Sequence, residues 1–169
     1  MQNLKLIIGS IVVVAIAVGW YLFCPELLFV TKTVNEALPE STITAGAPKN
    51  APATVLATGR FHSVAHDTTG TATIHHLANG TKIVRLTEFE TSNGPDVRVY
   101  LVAAKEAADN ETVTQAGFVD LGAMKGNKGN QNYEVPPAID LSQYQSVTIW
   151  CRRFGVNFAT APLTDQKQI

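Results

Sequence analysis

The chain has 169 residues, of which 46% are apolar and 16% charged, a balance that excludes a disordered chain. With 13 Lys and Arg against 14 Asp and Glu, the net charge is −1, so no basic surface for nucleic acid is expected. Two cysteines are too few for a disulfide framework or a cysteine-rich zinc site.

The first element is apolar. Residues 6–25 read LIIGSIVVVAIAVGWYLFCP and carry no charge. A helix of about 20 such residues spans the hydrocarbon core of a bilayer. Trp20 and Tyr21 fall where an interfacial aromatic belt is expected. The run is longer than a signal-peptide core and no A-x-A-like cleavage site follows it. Bulky Leu22 and Phe23 before Cys24 argue against a lipoprotein site. The reading is an uncleaved signal anchor over residues 1–25. Lys5 and the amino terminus precede the helix, which favours a cytoplasmic N-terminus and a domain in the periplasm, lumen or exterior.

Residues 26–54 read as a juxtamembrane segment and Pro-rich linker. Residues 27–30 form a short apolar patch, and LPESTITAGAPKNAPAT over 38–54 has no periodicity, as expected of a tether. The domain is placed at 55–163, with a tail at 164–169.

Within the domain the signals are mostly strand. Runs at 72–78 and 81–87 flank Asn79-Gly80, a hairpin signal for a type I′ turn. A strand over 59–65 is expected to pair with 71–77 across a turn ending at Gly70. Residues 96–102 alternate, with Val97, Val99 and Leu101 on one face and Arg98 and Tyr100 on the other, predicting a half-buried strand. Only 103–108 reads as helical. Residues 118–121, 146–152 and 156–160 complete the strands. The spacing predicts an all-β domain, an antiparallel sandwich or barrel-like fold, behind one N-terminal transmembrane helix.

Cys151 is the domain's single thiol. Alternation puts Val147, Ile149 and Cys151 on one face, and Thr148, Trp150 and Arg152 on the other. Arg152 and Arg153 beside it are expected to raise its thiolate fraction. The alternative is a buried thiol serving as a small hydrophobe. Pairing with Cys24 within one molecule is not expected, because Cys24 belongs to the membrane helix. His62, His66, His75 and His76 match no compact metal motif, and His66 lies at a turn. Asp96, entering a strand from the turn Ser92-Asn93-Gly94-Pro95, suits a turn cap better than a cation site. Residues 125–132, KGNKGNQN, lack the P-loop pattern and read as a flexible surface loop. No nucleophile, base and orienting acid can be assembled.

Three motifs resemble those of the DM13 domain family. Asn93-Gly94-Pro95-Asp96 leading to Val99-Tyr100-Leu101 is similar to its NGPD-x-x-VYL signature. Lys125-Gly126-Asn127-Lys128-Gly129-Asn130-Gln131-Asn132-Tyr133-Glu134-Val135-Pro136 is similar to its KGN-x-GNQNY stretch. Val147-Thr148-Ile149-Trp150-Cys151-Arg152-Arg153-Phe154 is similar to its IWC-[KR]-RF stretch. The resemblance covers about 55–163. It implies a β-rich, often extracytoplasmic domain, found in animals and plants beside DOMON and cytochrome-type domains. It also implies a redox or electron-transfer role for Cys151, as a bare thiol or through a bound prosthetic group such as haem. The cofactor is left open. No DOMON or cytochrome segment lies in these residues, so the expected partners are the lipid bilayer through residues 6–25 and a separate redox protein. The alternative is a non-catalytic surface binding module in which Cys151 is core and loops 92–96 and 125–132 make the contacts.

Overall fold

The computed structural model describes residues 2–26, 30–39 and 53–165. The apolar run forms one helix, α1 (Gln2–Phe23). From Leu4 to Trp20 its large apolar side chains are exposed, as expected of a candidate single membrane span. The helix stops at Cys24, whose backbone takes the left-handed conformation (φ 44°) and whose N–H donates to the Trp20 carbonyl at 2.9 Å. This is an αL stop made by cysteine instead of the usual glycine.

Eleven strands among the described residues form two sheets. The first is ordered β1 (Thr33–Asn35), β8 (Lys128–Val135), β5 (Lys82–Glu90), β4 (Thr69–His76), β2 (Thr54–Arg60), β11 (Thr164–Asp165). The second is ordered β3 (His62–Ser63), β10 (Val156–Pro162), β9 (Ser146–Cys151), β6 (Val97–Val102), β7 (Phe118–Ala123). Every pairing is antiparallel except β1 with β8. The fold is an all-β sandwich, not a closed barrel. Ile74, Val84, Leu86 and Phe89 of the first sheet meet Val99, Leu101, Val147, Ile149 and Phe158 of the second in one core. Burial of such side chains contributes about 1.5–3 kcal/mol each, against the entropy of ordering the chain.

Several expectations change in detail. The Asn79-Gly80 hairpin forms between β4 and β5, but its turn is not type I′. Among the described residues of the loop only Gly80 takes a positive φ (86°). Gly80 N–H donates to the Leu77 carbonyl and Leu77 N–H to the Thr81 carbonyl, which makes a three-residue loop with glycine at its left-handed position. The strand expected over 59–65 divides. β2 pairs with β4 as far as Arg60, and β3 then pairs with β10 in the other sheet.

The strand at 97–102 is buried on both faces, not half-buried. A second small core of Tyr100, Val102, Ala107, Val113 and Trp150 covers its outer side. The covering helix is α2 (Asn110–Ala116), not 103–108. Asp109 caps it, accepting from Thr112 N–H at 2.7 Å, as an N-cap aspartate does. The alanine-rich stretch before it is held irregular because its carbonyls are needed elsewhere. Ala104 accepts from Ser146, and Ala107 from both Asn157 and Thr160.

The tether also changes. Residues 33–35, expected in the linker, form the edge strand β1 against β8. Residues 40–52, most of the Pro-rich stretch, lie outside the described residues, as do 27–29 of the apolar patch and 166–169 of the tail. Thr164 and Asp165, expected in that tail, form β11.

Candidate functional site

β9 carries Cys151 as its last residue and returns through Arg152-Arg153-Phe154-Gly155 into β10, where Val156 is its register partner. The alternation holds. Val147, Ile149 and Cys151 face the core between the sheets, while Trp150 enters the second core. Cys151 is a free thiol, 1% exposed.

The two arginines beside it do not turn toward it. Arg152 follows the opposite face and donates through Nε to Asp96 Oδ2 at 2.7 Å. Arg98 donates through Nε to Asp96 Oδ1 at 3.0 Å and reaches Asp120 at 3.1 Å. Burial alone would raise the Asp96 pKa, but these two guanidinium groups outweigh it and hold the carboxyl below its ordinary value. Both carboxylate oxygens are thus committed to arginine. Asp96 is a structural ion bridge from the entry of β6 to the β9–β10 turn, and its backbone carbonyl accepts from Arg152 N–H.

Arg153 reaches the end of α1. Its Nη1 donates to the carbonyls of Tyr21 (2.9 Å) and Leu22 (3.2 Å) and lies 3.9 Å from Cys24 Sγ. The guanidinium also stands over the Tyr21 ring at 5.6 Å. A cation at the last carbonyls of a helix complements its dipole. Beside it, Phe154 stacks on Phe23 with centroids 5.5 Å apart. The β9–β10 turn is therefore seated on the end of α1.

A cavity of about 180 Å³ lies at this junction, with Phe23, Cys24, His66, Cys151, Phe154 and Phe158 in its wall. Asn93, Gly94 and Pro95 of the motif turn close one side. The His66 ring packs on Phe158 at 3.8 Å. Burial lowers the His66 pKa, with Asp67 opposing, which favours the neutral ring at pH 7. The two thiols that the sequence separates into helix and domain thus share one wall. Both remain free cysteines, so no bond joins them, although they line the same cavity. The signal available in the sequence is the Cys24-Pro25 stop at the helix end.

The remaining histidines stay apart from this site. His62 pairs with Glu106 at 2.8 Å on the surface. His75 is half-buried with its Nδ1 unpartnered, and its pKa is lowered by burial and then by Arg85. Among the described residues no three His, Cys, Asp or Glu side chains gather to hold a metal. Haem does not suit the Cys151 site either. Pockets for drug-sized ligands run about 300–1,000 Å³, and this one has room for a single ring. A cavity of about 500 Å³ among Leu56, Ile74, Leu141, Tyr144 and Leu163 lies toward the start of β9 and carries no thiol or imidazole.

The polar motif at 125–132 is not a flexible loop. It runs into β8, and its amides are spent on the protein's own backbone. Gln131, 0% exposed, accepts from Gly126 N–H (3.2 Å) and donates to its carbonyl (2.8 Å), while the Tyr133 hydroxyl donates to the same Oε1. Asn127 accepts from Lys32 N–H and donates to the Thr91 carbonyl. Asn130 accepts from Glu88 N–H, at a bulge where Glu88 takes φ 49°. Asn132 accepts from Arg85 and donates to the Ala37 carbonyl. Lys125 pairs with Glu36 at 2.7 Å. Gly129, at φ 101°, lets β1 approach so closely that a Cβ there would lie 2.2 Å from the Val34 carbonyl oxygen. The motif clasps residues 32–37 to the sandwich.

The family model described as "Electron transfer DM13" matches residues 60–163. No curated protein and no solved structure matches the chain.

Proposed function

The chain belongs to the DM13 family, whose domain is described as an electron-transfer domain, and from that premise we propose a membrane-anchored module that works outside the cytoplasm through the bare thiol of Cys151. The carrying observation is that Cys151 faces the cavity at the end of α1, while other core side chains of β9 are enclosed by the two sheets. Arg152 and Arg153 serve by position. One fixes the turn to Asp96 and the other fixes the turn to the helix end. Residues 6–25 lie in the bilayer with Lys5 on the cytoplasmic side, and electrons arrive from a separate redox protein.

The test uses the full chain in detergent micelles, in the Cys24→Ser background so that one thiol reports. The expected protein is colourless, and Cys151 is alkylated in the folded state at a rate that rises with pH as the thiolate forms. Cys151→Ser abolishes the signal. A thiol that reacts only after unfolding would overturn this reading. The domain would then be a surface binding module with Cys151 as core.

A further inference from the structure

Cys24 is the feature that this reading leaves unused. It occupies the left-handed stop of α1 and lines the same cavity as Cys151. The helix end is held over the cavity by Arg153 on the Tyr21 and Leu22 carbonyls and by Phe23 on Phe154. Apart from His66 and Asn93 the wall is apolar and aromatic, and it includes Phe23, the last residue of the candidate membrane span. With α1 in a bilayer, as the proposed function has it, a ligand for this cavity is drawn from the lipid phase and is apolar, flat and about one ring in size. The His66 ring lies in the wall against Phe158 and makes no hydrogen bond among the described residues, so its N–H is free to meet a carbonyl oxygen.

We infer that Cys24 and Cys151 form a two-electron couple, dithiol in one state and disulfide in the other, whose oxidant is a quinone drawn from the bilayer into the cavity they share. This rests on the redox reading of Cys151 and names its second thiol and its oxidant. The balance is complete. Two S–H bonds break and one S–S bond forms. The two electrons and two protons pass to the quinone, whose carbonyl oxygens become the hydroxyls of the quinol. His66 donates to one of those oxygens as charge develops on it. Closing the bond requires the two Cα atoms within about 7 Å of each other. The separate redox protein then returns the couple to the dithiol.

The experiment takes the reduced full chain in lipid nanodiscs and adds decylubiquinone under argon. Quinol formation is read by absorbance, free thiols by alkylation after denaturation, and linkage by peptide mass spectrometry. The expected result is one quinone reduced per chain, loss of both thiols and a peptide joining Cys24 to Cys151. Cys24→Gly, which suits the positive φ, and Cys24→Ser should both fall to the level of the protein-free control. His66→Phe should slow quinol formation without removing the thiols. Two thiols that persist in the wild type, or disulfides that join different chains, overturn the inference. If the thiols persist while Cys151 alone is still alkylated in the folded Cys24→Ser protein, the pairing fails and the redox reading of Cys151 stands. If Cys151 is inert in every variant, both fail.

Discussion

The 125–132 segment and the β9–β10 turn are both motif-rich, and they use their residues in opposite ways. The first is full of amides and cations, the kind of composition that suggests ligand binding. Yet Asn127, Asn130, Gln131 and Asn132 all have backbone or side-chain partners within the protein. The second contains one small thiol in an apolar strand, and there the structure leaves a cavity with a second thiol in its wall. Side chains already satisfied inside the fold hold it together. A thiol beside unfilled space is not committed in that way. Changes to the clasp should therefore cost stability and spare thiol reactivity, and changes at the turn should do the reverse.

The largest expected effect is at Gln131. Gln131→Leu leaves the Gly126 N–H and carbonyl without their partner. Stranded buried groups cost about 1–3 kcal/mol each, so urea unfolding should show a loss of about 3 kcal/mol with Cys151 alkylation unchanged. Gly129→Ala comes next. Its Cβ would meet the Val34 carbonyl at a backbone angle that alanine resists, a cost of about 2 kcal/mol. Faster hydrogen exchange at Val34 and Asn35 should report release of β1.

Arg153→Ala removes the cation from the helix end, an interaction of about 0.3–1 kcal/mol. Unfolding of the sandwich should barely change, while alkylation of Cys24 quickens as the helix end loosens. A fall in sandwich stability matching that of Gln131→Leu would break the contrast between the two regions.

Acid should separate them by pH. In the cavity beside the turn, burial holds the His66 pKa below its ordinary 6.5. The unfolded chain therefore takes up the proton first, and this contribution is present above pH 6.5 and lost as pH falls through the folded value. In the clasp, burial would raise Glu36, but the Lys125 ion pair and the Asn132 N–H outweigh it and hold the carboxyl below its ordinary 4.5. Its contribution is present above pH 4.5 and lost on further acidification. Stability followed from pH 7 downward should fall in two stages. His66→Phe should remove the upper stage and Glu36→Gln should weaken the lower one. A single stage untouched by either variant would show that neither group is linked to folding.

Much of this fold was legible because its signals are local. The Asn79-Gly80 hairpin, the alternation of β6 and the inward face of Cys151 each depend on neighbours within a few residues. The misreadings share a different origin. Helix propensity favoured 103–108, but distant Ser146, Asn157 and Thr160 claim its carbonyls. The helix starts instead where Asp109 can cap it. The polar run at 125–132 looked solvated because its partners, Lys32, Glu36, Arg85 and Thr91, lie 36 to 95 residues away along the chain.

The sequence by itself determined an apolar N-terminal helix, a β-rich domain with motifs of the DM13 family, and a single domain thiol on the inner face of its strand. These follow from hydropathy, period-two alternation and turn chemistry, all written in adjacent residues. Only the tertiary structure decided that the polar motif is a clasp, that Asp96 is held between two arginines, and that Cys24 faces the same cavity as Cys151. Those outcomes depend on which distant segments the two sheets bring together, and no local pattern along the chain carries that information.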